Sequence, residues 1–267
     1  RDNDAYNRIY EFLGQQYINE KLHKKGYPDT AILHHLEIFM TEDENRHTNP
    51  IRLYSPDTKL LYEQKMQVSQ IKYPERNDFL AKGYYSGGKL VNQPMNFSIK
   101  NRLPLEDAHL MLRSIMFPSS VKKKQRFNIS KDDQQLVWKY LSMYPAEAGF
   151  PPYDTTNYWD AYGKLLYWGA EKGVLPKTFR SFSKEGDAYG FLIDVAYIVD
   201  FSKKIEFMLS AVIYCNSDGI LNDDQYDYEK VGFPFMKNIG KLIYYHELKR
   251  RQNYLPDLSE FHLDYGK

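Results

Sequence analysis

A chain of 267 residues with 42% hydrophobic content is long enough to bury a sizeable core, as one large domain or two small ones. Its 36 Lys and Arg against 35 Asp and Glu leave almost no net charge, which disfavours nucleic acid and anionic membrane surfaces as partners. No apolar run is long enough to span a bilayer, and the single cysteine, Cys215, cannot close an internal disulfide.

The first residues carry neither a basic n-region nor an apolar h-region, and they open inside an amphipathic helix, as a fragment would. Asp2, Asn3 and Asp4 suit a helix N-terminus, and Ala5, Ile9, Phe12 and Leu13 follow at helical spacing until Gly14. A second helix is expected over 16–25, closed by Gly26-Tyr27-Pro28-Asp29. Residues 41–50 are polar enough for a long surface loop placed to line a site.

Across 51–102 short apolar stretches alternate with Pro, Asp and Gly-Gly, the texture of a β-hairpin insertion. Helices resume at 105–116, at 132–143 and around 158–168, each with apolar residues three and four apart. Residues 178–183, 189–200 and 205–214 have the β-branched and aromatic content of consecutive antiparallel strands, with Ser202-Lys203-Lys204 at one turn. Val231, Phe235, Ile239, Leu242, Ile243 and His246 mark a closing helix. This order predicts an α+β fold, or αβα in layers, forming one domain over 1–267.

The segment Phe182-Ser183-Lys184-Glu185-Gly186-Asp187-Ala188-Tyr189-Gly190 delivers a lysine and a glycine to an exposed strand edge just before a turn. Lys184-Glu185-Gly186 resembles the Lys-Thr-Gly or Lys-Ser-Gly triplet of penicillin-recognising enzymes at its first and third positions. Asp2-Asn3 match the last two positions of that family's Ser-Asp-Asn element, with Arg1 where the serine belongs. Asp4-Ala5-Tyr6-Asn7-Arg8, Thr48-Asn49-Pro50, Met116-Phe117-Pro118, Ser142-Met143-Tyr144-Pro145 and Tyr153 look like landmarks of the aromatic-rich, class A β-lactamase-like serine hydrolases of Bacteroidetes.

The resemblance implies a β-lactamase/transpeptidase-like fold with an antiparallel sheet, a helical subdomain and the hairpin insertion. It implies acyl-enzyme formation with a small-molecule or peptide substrate: a β-lactam, a cell-wall peptide or an ester. Lys184, Asn3 and Asp2 would be the catalytic residues, Lys184 anchoring substrate charge and Asn3 orienting the substrate, while Gly186 and Glu185 would form the pocket edge. The family's nucleophile, in Ser-x-x-Lys, should precede Arg1; the literal match Ser119-Ser120-Val121-Lys122 sits among lysines, as a solvated loop. Glu42 or Glu44, with Asn49, stand where the family places its deacylating carboxylate and a nearby amide. A periplasmic or lipid-anchored envelope location follows from the resemblance alone, and no cofactor is expected.

His34, His35 and His47 lack ligand spacing, so no metal is expected, and Asp218, Asn222, Asp223 and Asp224 fall out of register for a calcium loop. Tyr158, Trp159, Tyr162, Tyr167 and Trp168 read first as core packing and second as a surface that stacks on sugar rings. Two rivals remain: an inactive binding or scaffold protein on the same fold, which Glu185 in the triplet's middle position favours, and a carbohydrate-binding module.

Overall fold

The computed structural model describes residues 3–150, 152–251 and 253–266, and its mixture of helices and small, mostly antiparallel sheets is α+β. The chain divides into two compact units, residues 1–81 with 94–107 and residues 82–93 with 108–267.

In the first unit α1 (Asn3–Leu13) stops where Gly14 takes φ 76°, and α2 (Gln15–Lys25) ends on Gly26 in the left-handed region at φ 99°. The stretch from Thr30 to Met40 has almost no regular structure, so its backbone groups need other partners. Asparagine side chains supply them. Asn19 bonds both N–H and C=O of Ile32, Asn7 does the same for Leu36, and Asn101 accepts from the Leu33 and His34 amides. Asn45 accepts from the His35 amide and donates to the Thr41 carbonyl.

The expected polar loop contains a short helix, α3 (Glu42–Arg46), opened by a capping box between Thr41 and Glu44. Beyond it β1 (Ile51–Tyr54) and β2 (Leu60–Gln64) form an antiparallel hairpin, and β3 (Phe79–Leu80) pairs with β6 (Met95–Asn96). Between the last two, β4 (Gly83–Ser86) and β5 (Lys89–Val91) belong to the second unit, where β4 also pairs in parallel with β10 (Ile220–Leu221). The β-rich reading of 51–102 therefore describes the local structure, while the chain there contributes to both units.

The second unit is built on three ten-residue strands, β7 (Phe179–Ala188), β8 (Phe191–Asp200) and β9 (Ile205–Tyr214), in antiparallel order β7-β8-β9. Alternation gives the sheet two unlike faces. On one, Leu192, Ala196 and Ile198 pack with Leu165, Leu166, Met236 and Tyr244, the latter two on α6 (Phe233–Lys249). On the other, Phe182 and Tyr197 meet Phe117 and Phe261, and Phe261 in turn meets Trp138 of α5 (Lys131–Ser142). Met116 and Leu112 of α4 (Leu105–Met116) are buried as well. Helical and loop side chains thus cover both faces of the sheet except along the second half of β7.

Residues 158–168 are successive turns rather than the expected helix. Gly163 at φ 72° and Tyr167 at φ 79° break the right-handed path, and the run bends so that Lys164, Leu165 and Leu166 enter the interior. Strand β7 also runs further than its composition suggests, pairing residue by residue with β8 as far as Ala188 opposite Phe191. The turn follows at Tyr189-Gly190, both at positive φ, so Lys184 lies four residues inside the strand.

Candidate active site on the edge strand

β7 is an edge strand, and its last half is where the sheet meets solvent. Lys184 is 60% exposed, with its Nζ turned back toward the Glu185 carbonyl and 4.0 Å from the Glu185 carboxylate. Gly186 points the same way. A Cβ there would touch only Ile193 Cγ2, at 3.4 Å, so the space above this residue is open on the side Lys184 occupies. Across the sheet the Lys184 rung continues through Val195 to Ser210. The Ser210 hydroxyl lies 2.7 Å from Nδ1 of His109 on α4, and burial followed by the nearby Arg113 charge pulls that imidazole below its usual range.

Glu185 faces the other way. Its side chain is only 18% exposed and stands opposite Asp194 of β8. Asp194 is fully buried, and one of its oxygens accepts the amides of Leu165 and Leu166 at 3.1 and 2.9 Å. Burial pushes this carboxyl up to about 6; the Leu166 amide and the Lys164 ammonium oppose the rise, and Glu185 adds to it. Lys164 is also fully buried, and its Nζ donates to the carbonyls of Leu141 and Ser181 and reaches Ser183 Oγ at 3.2 Å. Ser183 and Lys164 have the chemical types of a serine nucleophile and its base, yet both are at zero exposure and closed to a substrate. Asp187, next along the same face, is raised by burial first and by Glu185 second.

The remaining predicted residues fall elsewhere. Asn3 is exposed at the first described position of α1, in the first unit, and Asp2 lies outside the described residues. Glu44 accepts from Thr41 as part of the capping box, and Asn49 donates to Glu11, so these two serve local structure. Glu42 lies 3.3 Å from Arg46, and both line a cavity of about 550 Å³ with Asn45, His34, Tyr73 and Phe39. Ser120, in a single 3-10 turn after Phe117, bonds to Arg113 and to the Phe117 carbonyl on the surface.

His35 is buried on Glu11 and Asn45, and His34 and His47 bond to backbone carbonyls. Among the described residues no group of three His, Cys, Asp or Glu side chains is arranged to hold a metal ion, and no helix is long and apolar enough to cross a membrane. Asn222 and Asp224 take positive φ in a polar turn.

Tyr167 and Trp168 pack against Phe179 in the core, whereas Tyr158 and Tyr162 are 38% and 43% exposed. With Tyr153 they form a chain of edge-to-face contacts at 5.3 and 5.0 Å, a surface the helical reading of this stretch concealed.

Lys164, Asp194 and the His109–Ser210 pair are the residues that sequence reasoning passed over. Their partners are 17 to 101 positions away, and no spacing rule connects them. A lysine flanked by Gly163 and two leucines was the one available signal.

Comparison with protein-family models, curated proteins and solved structures gives no match. The residues themselves therefore define the class: an α+β protein whose second unit presents a lysine and a glycine on one face of an edge strand, above a buried ionic cluster on the other face.

Proposed function

We propose that this chain is part of a serine hydrolase of the β-lactamase and penicillin-binding type, acting by acyl-enzyme formation on a β-lactam, a cell-wall peptide or an ester. The observation that carries the reading is the β7 edge, where Lys184 is exposed and the space over Gly186 two residues on is open on the same face. An ammonium ion there suits a substrate carboxylate, and a glycine lets an extended substrate lie against the strand. The acylated serine would come from a Ser-x-x-Lys segment outside the residues described, and the protein would work in the periplasm or on a lipid anchor.

In the native polypeptide, a fluorescent penicillin is expected to label a single band, and Lys184→Ala to cut the labelling rate by about tenfold or more. No label at any dose sinks the reading and leaves the inactive scaffold in its place.

A second reading has its own observation. The exposed ladder of Tyr153, Tyr158 and Tyr162 offers aromatic surface for sugar stacking. On that reading, affinity electrophoresis in glycan-containing gels shows retardation that Tyr158→Ala removes; equal mobility with and without glycan excludes it.

A further inference from the structure

We infer that Lys164 and Asp194 are positioning residues for the β7 edge, tying the 164–166 loop to β7 and β8 beneath Lys184. The consequence for catalysis rests on the hydrolase reading of that edge. Lys164 grips the strand on the N-terminal side of Lys184, through the Ser181 carbonyl and the Ser183 hydroxyl. Asp194 stands across from Glu185, on the C-terminal side, and its other contacts are the amides of Leu165 and Leu166, next to Lys164 in the chain. A loop and two strands are thereby tied at one point.

Two full charges in a core cost several kcal/mol each to desolvate, and an apolar pair of similar volume would be about as stable or more so. Their presence calls for a role besides stability, and the geometry supplies one. Lys164 holds the strand next to Lys184 from below, and Asp194 fixes the loop that carries Lys164.

The arrangement also ties the edge to proton uptake. Asp194 is faced by Lys164 from the loop and by Glu185, with Asp187 beyond it, from β7. From β9 the opposing residue is the uncharged Ala211, and from α6 the core contributes Met236 and Tyr244, whose hydroxyl is held by Asp200. A proton taken up by Asp194 changes the field on Glu185 and, through it, on the strand.

The test follows the backbone amide shifts of Glu185 and Gly186 by NMR in the native protein across mildly acidic to neutral pH, with penicillin labelling rates measured alongside. The wild type is expected to show a transition with its midpoint near 6. Asp194→Asn abolishes it. Glu185→Gln, at a partly exposed position, moves it to lower pH, because the Glu185 charge is one of the causes raising Asp194. Asp194→Asn also slows labelling by about tenfold to a hundredfold and flattens the acid limb of its pH profile.

A transition that persists in Asp194→Asn, or one that Glu185→Gln leaves in place, overturns the inference. Wild-type protein that takes no label removes the hydrolase reading, while the amide titration still decides whether Lys164 and Asp194 govern the edge. Should Asp194→Asn fail to fold, the Glu185→Gln comparison decides.

Discussion

Gly240→Ala is expected to destabilise the second unit by about 3 kcal/mol or more, although alanine is the better helix former by about 1 kcal/mol. A Cβ at Gly240 would lie 2.1 Å from the Tyr167 amide nitrogen, 2.7 Å from its Cα and 3.0 Å from the Leu166 carbonyl carbon. All three are backbone atoms that cannot rotate away. The Tyr167 amide also donates to the Met236 carbonyl, so α6 and the 164–167 turn meet main chain to main chain, and the methyl group must force them apart. Urea unfolding should show the midpoint falling sharply for Gly240→Ala and barely moving for Gly149→Ala, where the added Cβ meets nothing within 4 Å. Equal midpoints would mean that α6 does not sit on this turn.

Lys164→Met should cost about 3–5 kcal/mol at neutral pH. The methionine fills most of the space but leaves the carbonyls of Leu141 and Ser181 and the Ser183 hydroxyl without their donor, and Asp194 without its cation. The loss should shrink on acidification. Asp194 is raised in the folded protein from the ordinary 3.8 to about 6, so the native state binds this proton more tightly than the unfolded chain. The stability it contributes is full below about 3.8 and disappears as pH rises through about 6, and removing Lys164 extends the window upward. Unfolding curves at pH 5 and pH 7.5 check this: a Lys164→Met deficit smaller at the lower pH is expected, and one larger there would show that Asp194 is not the group responsible.

Residues 164–167 illustrate where sequence reasoning stops. Helices α1, α2, α4, α5 and α6 and strands β8 and β9 were legible because apolar spacing records which face each element buries. The 158–168 segment carries the same spacing without the helix: glycines and positive-φ residues fold it into turns that bury a consecutive run, Lys164, Leu165 and Leu166. The end of β7 was missed for the converse reason. Lys-Glu-Gly-Asp-Ala has poor strand propensity, and the unbroken ladder with β8 overrides it.

The asparagines of the first unit look like loop residues in the sequence and prove to be the frame of 30–45, because side-chain amides bonding distant backbone leave no periodic trace. Of the candidate site, the exposure of Lys184 was legible, while its place inside the strand and the cluster beneath it were not. Glu185, expected at the pocket edge, turns to the interior by strand alternation.

The role of Lys184 is tested most directly by pairing a change in the protein with a change in the substrate. Second-order acylation rates of the native protein can be read by intact-protein mass spectrometry for a β-lactam acid and its methyl ester, in wild type and in Lys184→Ala. If the β7 ammonium holds the substrate carboxylate, the wild type should favour the acid by about tenfold or more, and Lys184→Ala should treat the two alike. A preference for the acid that survives unchanged in Lys184→Ala would contradict the assignment of this strand as the substrate edge.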